Sequence, residues 1–139
     1  RRKGYTRALK QFNIHDTYIE DSLLTREAAY EATLRLLRRA PQVTAIFACN
    51  DNVAVGVMNA AGDLGRRIPE DLSVVGFDDI ELAQEVNPPL TTVHVDKTLM
   101  GVLAVQRLRE RTEHPDQVAL TTTLSTQLIV RGSVAALAL

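Results

Sequence analysis

The sequence predicts an α/β fold in which a mostly parallel sheet carries helices on both faces. Short apolar runs of strand length alternate along the chain with longer segments of helical periodicity. Polar residues follow directly after the two apolar runs at the centre of the chain, as they do where parallel strands end. Alternating strands and helices are typical of a sheet that is covered on both sides.

The composition is that of one domain without a basic surface. The 139 residues are 45% hydrophobic, and 16 Lys and Arg residues against 17 Asp and Glu residues give a net charge of −1. This balance argues against nucleic-acid binding by this segment. The single Cys49 cannot form an internal disulfide, and no apolar run reaches membrane-spanning length. No signal peptide is visible, but the chain starts within a predicted helix, so this absence decides little.

The first quarter of the chain is predicted to contain two helices and a short strand. A stripe of apolar residues predicts a helix over about 1–11, and 17–19 are predicted as a short strand. Thr25 is expected to cap a second helix that ends before Pro41, with its arginines on a solvated face. The core-facing residues of this second helix are predicted to be Ala29, Ala32 and Leu36.

The stretch 44–79 is predicted to form a strand, a helix and a second strand. Residues 45–48 and 72–77 are apolar runs short enough for buried strands. Gly65 is expected to end the helix between them. The core face of that helix is predicted to contain Ala54, Val57, Met58, Ala61 and Leu64. Asn50 and Asp51 are predicted turn and N-cap residues, and Asp78 and Asp79 follow the second strand.

The last third continues the alternation. A short helix is predicted at 80–85, a strand at 90–95, and two further Thr- and Val-rich strands at 117–123 and 126–130. Asp96 is expected to cap a longer helix. The residues of that helix predicted to point inward are Met100, Leu103, Ala104 and Leu108.

Three motifs and the end of the chain carry a family resemblance. The motifs are TAIFACNDNVAVG at 44–56, GRRIPEDLSVVGFDD at 65–79 and PPLTTV at 88–93, and the chain closes with Arg131-Gly132-Ser133. Together they resemble the effector domain of LacI/GalR-family bacterial transcription regulators. The closing Arg131-Gly132-Ser133 is similar to the R-x-S sequence at the C-terminus of that family's effector domain. The resemblance extends from Arg1 to about Ser133 and implies a type I periplasmic-binding-protein-like fold.

The family's effector domain has two lobes, and the resemblance divides the chain between them. Residues 1–95 would belong to the C-terminal lobe, 96–124 would return to the N-terminal lobe, and 125–139 would form the last strand of the C-terminal lobe and a tail. The DNA-binding helix-turn-helix and most of the N-terminal lobe would lie upstream. The resemblance therefore implies contact with DNA only through that upstream domain, and an effector cleft of which only half is present here.

Asp78 is the main candidate for contact with a small molecule. A carboxylate at the end of a strand can accept paired hydrogen bonds from sugar hydroxyls or a base nitrogen, whereas the alternative role is a helix cap. The resemblance assigns the effector contact to Asp78 and leaves Asp79 as a cap. Arg1, three residues before Gly4, matches the family's effector-binding R-x-x-G, although a terminal arginine that touches nothing is the alternative.

Three further positions are implied by the resemblance. Asn50 would lie in the cleft, while Asp51 would cap the helix that follows. Leu24 stands where many family members carry a stacking aromatic, which favours a smaller or more aliphatic effector. Val95 would face the cleft at the crossover between lobes. Lys97, close by, could reach an anionic effector, but a solvated lysine is the default interpretation.

The helix over 52–64 is a candidate dimer interface because it is apolar on more than one side. In the family, the same helix of a second subunit packs there across a two-fold axis. The alternative is that Val55 is a single exposed apolar side chain of an ordinary surface. The interface residues are predicted to be Val55, Met58 and Asn59.

No motif indicates an enzyme, a metal site or a cofactor. His15, His94 and His114 are scattered, and no nucleophile triad, phosphate loop or dinucleotide fingerprint is present. The family resemblance therefore implies the effector-binding and dimerisation domain, in truncated form, of a cytoplasmic transcriptional repressor, with a sugar or nucleobase-like effector and no contact with membranes. The alternatives are a periplasmic sugar-binding protein of a transport system and, with only the acidic pair to support it, a phosphotransfer receiver.

Overall fold

A computed structural model describes residues 1–15 and 17–136. Five helices and four strands alternate along these residues. Their bounds are α1 Arg2–Gln11, α2 Arg26–Arg39, β1 Ala45–Phe47, α3 Asp51–Asp63, β2 Ser73–Val75, α4 Leu82–Glu85, β3 Thr92–His94, α5 Lys97–Glu113 and β4 Gln127–Ile129. No helix of the described residues is long and apolar enough to cross a bilayer.

The strands lie in the order β1-β2-β3-β4. β1 and β2 are parallel with Ile46 opposite Val74, and β3 and β4 are antiparallel. Parallel bridges from Val75 to Thr91 and from Asp78 to His94 join β2 to β3. The expected α/β architecture is confirmed, and the antiparallel strand is the one that returns from α5 at the end of the chain.

The core lies between α2, α3 and the sheet. α3 buries Ala54, Val57, Met58 and Ala61 as predicted, and Leu72, Val74 and Leu90 complete the core from the sheet side. α2 packs so closely on α3 that a Cβ added to Gly56 would lie 2.3 Å from the carbonyl oxygen of Arg26. Glycine at this position therefore lets the two helices approach one another.

The helix caps follow the local sequence signals. The side chain of Thr25 accepts a hydrogen bond from the amide of Ala28, and that of Asp96 accepts one from the amide of Leu99. Gly65 follows α3 with φ +72°, a left-handed conformation that favours glycine. These three predictions are confirmed because caps depend on contacts within a few residues.

The closing Arg131-Gly132-Ser133 segment is pinned to the sheet. Ser133 is fully buried, its hydroxyl donates to the carbonyl oxygen of Val74 at 2.6 Å, and it accepts from the amide of Thr91 at 2.8 Å. One side chain thus holds β2, the start of β3 and the end of the chain together.

Two of the predicted strands do not form. Residues 17–19 have no strand neighbour, and their segment is fixed by side chains instead: Glu20 pairs with Arg35 at 3.1 Å and with Arg39 at 3.2 Å. Residues 117–123 also lack strand structure, and Val118 is 86% exposed. β propensity alone cannot form a strand where no neighbouring strand offers hydrogen bonds.

Three predictions of burial are wrong. β1 is a half-exposed strand rather than a buried one, because it pairs with β2 on one side and meets α1 mainly through the stacking of Tyr5 on Phe47. Leu64 lies past the last turn of α3 and is 38% exposed. α5 buries none of its residues, since no described element covers its apolar face. The exposed residues predicted to point inward include Met100 and Leu108.

Candidate functional site

The candidate site is the turn that follows β2 at the carboxyl edge of the sheet. Asp78 and Asp79 both have positive φ, +107° and +50°. Such angles are uncommon for residues other than glycine, although Asp tolerates them better than most. The amide of Asp78 donates to the carbonyl oxygen of Val93 at 2.9 Å, which ties the turn to β3. Ligands of open parallel sheets bind at this edge.

Arg1 and Asp78 form an ion pair at this edge. Arg1 Nη2 lies 2.7 Å from Asp78 Oδ1, and the side chains are 39% and 32% exposed. The guanidinium carbon also lies 4.0 Å from the centre of the Phe77 ring, and Arg1 donates to the carbonyl oxygen of Cys49. Because the pair is solvent-accessible, its energy is modest and a ligand can compete for it.

Lys97 brings a second cation to the same turn. Its ammonium donates to the carbonyl oxygen of Asp78, from the first residue of α5. Asp78 therefore binds a guanidinium through its carboxylate and an ammonium through its main-chain carbonyl oxygen. The pair offers both donors and acceptors to a polar ligand.

Asn50 performs the capping role that the sequence assigned to Asp51. Its Oδ1 accepts from the amide of Val53 at 2.8 Å at the start of α3. The prediction of Asp51 as the cap is wrong, because its carboxylate accepts hydrogen bonds from groups outside α3 instead. Asn50 remains half-buried at the same edge as Asp78, and its amide N–H groups are not used by the cap.

Asp51 is a buried structural carboxylate. It is 1% exposed, accepts from the Thr92 hydroxyl at 2.6 Å, and accepts from the Ile80 amide at 2.9 Å. A Cβ added to Gly76 would lie 2.2 Å from Asp51 Oδ1, so only glycine lets the carboxylate reach β3. The carboxylate thus joins α3, β3 and the segment after the Asp78–Asp79 turn.

Asp79 is not the helix cap that the sequence predicted. Its Oδ1 lies 2.6 Å from Arg131 Nη2, and its Oδ2 lies 2.9 Å from His94 Nδ1. Burial would raise the pKa of the Asp79 carboxyl, but the hydrogen bonds and charges of Arg131 and His94 outweigh it and lower the pKa. The short helix α4 starts later, after Glu81, without a side-chain cap. The Asp79 carboxylate therefore binds Arg131 and His94, which are distant in sequence, instead of capping the helix that follows it.

The other two predicted contacts, Leu24 and Val95, differ in exposure. Leu24 is 64% exposed in the loop before α2, where Arg26 binds Asn52 at the start of α3. Val95 is half-buried and directly follows His94, which is bridged to Asp78. The structure thus gives Asp78 a direct contact with Arg1, while Leu24 and Val95 belong to neighbouring segments.

A separate surface depression of about 370 Å³ lies along α3 and away from Asp78. Val55, Met58 and Asn59 line it. The alternative that Val55 is an exposed side chain of an ordinary surface does not hold: Val55 is 7% and Met58 8% exposed, while Asn59 faces solvent. The assignment of Val55 to a dimer interface remains a prediction.

Sequence reasoning missed two residues at the site. Phe77 carries the guanidinium of Arg1 on its ring, and the alternation of β2 could have placed both Val75 and Phe77 on one face. Arg131 lies 52 positions from its partner Asp79, and no local pattern predicts such a pair. In the described ranges 1–15 and 17–136, no three side chains form a potential metal site.

Comparison with known proteins assigns the fold to a family of binding-protein-like domains. The family described as periplasmic binding protein-like domain matches residues 1–134. The HTH-type transcriptional repressor PurR of Pasteurella multocida is 32% identical over 136 residues, covering 96% of this chain and 41% of the repressor. The chain thus spans about two fifths of the length of this curated relative.

Solved structures of transcriptional regulators have the same fold as this chain. A complex of the transcriptional regulator CelR with cellobiose has a TM-score of 0.89 and 32% identity, covering 94% of this chain and 40% of that one. The lac repressor dimer bound to operator and the anti-inducer ONPF also has a TM-score of 0.89, with 30% identity over 96% of this chain and 46% of that one. The chain therefore belongs to the periplasmic binding protein-like domain family, as the effector-binding domain of the LacI/GalR type. These relatives are regulators rather than enzymes or transport proteins.

Proposed function

We propose that this chain is the effector-binding and dimerisation part of a cytoplasmic DNA-binding repressor. The observation that carries the proposal is the Arg1–Asp78 pair over the Phe77 ring at the carboxyl edge of the sheet. Both side chains are partly exposed, so a ligand can reach them. A polar ligand that replaces their mutual contact would meet donors and an acceptor already aimed at it.

The effector is a small polar molecule, either a sugar or a nucleobase-like compound. Vicinal hydroxyls or a ring N–H would donate to the Asp78 carboxylate, and the Arg1 guanidinium would donate to an oxygen of the same molecule. The Phe77 ring offers apolar contact beside the Arg1 guanidinium, and the exposed Leu24 is a further candidate for apolar contact. The complex of CelR with cellobiose supports a sugar.

The effector acts by changing the relative orientation of two lobes. We assign 1–95 and 125–139 to the C-terminal lobe and 96–124 to a segment that returns to the N-terminal lobe. In support, 96–124 leaves the sheet after β3 and re-enters it at β4, and α5 buries nothing against the described residues. The coupling is the difference in effector affinity between the two orientations, and DNA is bound by another part of the protein.

A two-fold dimer would form through the outer face of α3. The depression lined by Val55, Met58 and Asn59 is the surface in question, and the lac repressor dimer supports an assembly of this kind. Asn59→Arg adds a charge to the exposed rim without disturbing the buried Val55. Light scattering at tens of micromolar should show a dimer that this variant reduces to a monomer, whereas a monomeric unmodified chain would contradict the interface.

Calorimetry tests the effector site. Because Asp78 and Arg1 are open to solvent, this chain should bind its best ligand from a panel of D-ribose, cellobiose and hypoxanthine at about millimolar Kd, roughly −4 kcal/mol. Asp78→Asn should weaken that binding at least about tenfold, since it removes a charged acceptor worth roughly 1.5–3 kcal/mol. Asp116→Asn, on an exposed loop, is the matched control. Equal affinity of the Asp78→Asn variant would overturn the assignment.

A further inference from the structure

We propose that the Asp79–Arg131 ion pair is a positioning device for the effector site, because it holds the turn that presents the Asp78 carboxylate. Asp79 itself does not contact the effector: Arg131 occupies its Oδ1 at 2.6 Å, and His94 occupies its Oδ2 at 2.9 Å. This inference rests on the proposed function, since it concerns the same turn. It assigns a role to a residue at the far end of the chain.

The pair is built to be rigid. The side chains of Arg131 and Asp79 are only 15% and 12% exposed, whereas those of Arg1 and Asp78 are 39% and 32% exposed. Arg131 also donates through Nη1 to the carbonyl oxygen of Leu90 at 2.9 Å, and its amide donates to the Thr91 hydroxyl at 2.9 Å. Arg131 is therefore fixed on the segment just before β3 by its amide and by one end of its guanidinium, while the other end reaches Asp79. A planar fork permits this double contact and an ammonium does not.

The turn needs such support because two consecutive residues, Asp78 and Asp79, have positive φ. Each residue in such a sparsely populated conformation costs on the order of 1–3 kcal/mol, and it persists only where surrounding contacts hold it. The amide of Asp78 contributes one contact, to Val93 on β3. The carboxylate of Asp79 adds buried contacts to Arg131 and His94, beside the exposed contacts that Arg1 and Lys97 make with Asp78.

Loss of the pair would lower affinity without removing any group that touches the effector. If the turn relaxes, only a fraction of molecules presents Asp78 correctly, and the apparent Kd rises by the inverse of that fraction. His94, the last residue of β3, pairs with Gln127 of β4. The same carboxylate therefore holds the turn against the point where the chain leaves the sheet towards α5 and returns.

The test variant is Asp79→Asn combined with Arg131→Gln. This double change removes both charges, leaves two amides that can hydrogen-bond to each other, and so avoids the penalty of one unpaired buried charge. Arg131→Lys is the conservative variant, which keeps the charge but loses the fork. The matched control is Arg109→Gln with Glu113→Gln, which removes the exposed ion pair on α5 at 2.8 Å.

Two measurements on the 139-residue chain are compared. The double variant should accelerate amide hydrogen exchange at Asp78 about tenfold relative to the exchange of core amides in α3, and should weaken calorimetric binding of the best ligand among D-ribose, cellobiose and hypoxanthine about tenfold, or about 1.4 kcal/mol. Arg131→Lys should fall between the double variant and the unmodified chain, and the control should change neither quantity.

Unchanged exchange at Asp78 in the double variant would overturn the proposal, whatever happens to binding. Accelerated exchange with unchanged affinity would overturn it too, because the turn would then not limit binding. If no panel member binds the unmodified chain, the proposed function fails for these ligands, while the exchange measurement still decides whether the pair holds the turn.

Discussion

The helices α3 and α5 differ in how far the rest of the chain buries them. α3 buries nine of its 13 residues between α2 and the sheet, and α5 buries none of its 17. Both helices begin with a side-chain cap, from Asn50 and from Asp96, and both carry apolar residues at helical spacing. Local signals therefore form the two helices equally well, and only tertiary packing separates them.

This difference shows which region of the chain has its own hydrophobic core. The unit of α2, α3, β2 and β3 has its own hydrophobic core, and the buried side chains of Asp51 and Ser133 join its elements by hydrogen bonds. The Asp78–Asp79 turn lies at its edge. The apolar face of α5, with Leu108 67% exposed, needs a covering surface from elsewhere. A return of 96–124 to another lobe would provide one. Substitutions should therefore matter in the first region and hardly at all in the second.

The largest effect is expected for Gly76→Ala, compared with Gly101→Ala. At Gly76 the added methyl would lie 2.2 Å from Asp51 Oδ1 and 2.9 Å from Leu90 Cδ2. Overpacking and the loss of charged hydrogen bonds should together lower the free energy of unfolding by roughly 3–6 kcal/mol. At Gly101, on α5, nothing lies within 4 Å, and alanine should favour the helix by up to about 1 kcal/mol. Urea denaturation followed by circular dichroism compares them, and equal effects would break the contrast.

A somewhat smaller effect is expected for Leu90→Ala. Leu90 is fully buried in the core, and removal of its side chain should cost about 2–5 kcal/mol through lost burial and the cavity left behind. Leu108→Ala is the matched variant on α5, where the side chain is 67% exposed and the change should stay within about 0.5 kcal/mol. A comparable loss at Leu108 would mean that α5 is covered in solution, for example by a second copy of the chain.

Ser133→Ala should have an intermediate effect, of about 1–3 kcal/mol, because it leaves the buried amide of Thr91 without its partner. Thermal unfolding measures the loss. Ser125→Ala, an exposed serine in the segment after α5, serves as the control and should leave the midpoint unchanged. A neutral Ser133→Ala would show that the end of the chain does not contribute to the packed region.

The smallest effect is a pH dependence at Asp79. Because the folded-state pKa of Asp79 lies below its ordinary value, its contribution to stability is present above the ordinary carboxyl pKa of about 4 and is lost as the pH falls through the lower, folded-state pKa. Asp79→Asn should flatten this part of the profile of unfolding free energy against pH. An unchanged slope between pH 5 and pH 2, measured by urea denaturation, would show that the carboxylate is not stabilised by Arg131 and His94.

The sequence predicted the elements that depend on neighbours along the chain. The caps at Thr25 and Asp96, the stop at Gly65 and the core face from Ala54 to Ala61 follow from spacing and side-chain chemistry within one or two turns. The position of Asp78 at the end of an apolar strand also followed from the sequence, while its role in effector binding stays a prediction.

The errors arose where distant partners decide the outcome. Asp79 binds Arg131 and His94 instead of capping a helix. Asp51 binds Thr92, 41 positions away, and Asn50 caps α3 in its place. Periodicity predicted which residues of α5 share a face, but it contains no information about what lies opposite. Covered and uncovered apolar faces therefore look alike in sequence.

The central claim is that the effector binds at the Asp78–Asp79 turn in the packed region. Amide chemical-shift mapping with the best ligand of the panel tests this most directly. The account predicts that the largest shifts occur at Phe77, Asp78 and the start of α3 near Asn50, and that they disappear in the Asp78→Asn variant. Largest shifts along α5, or around Val55 and Met58 in the α3 depression, would contradict the claim.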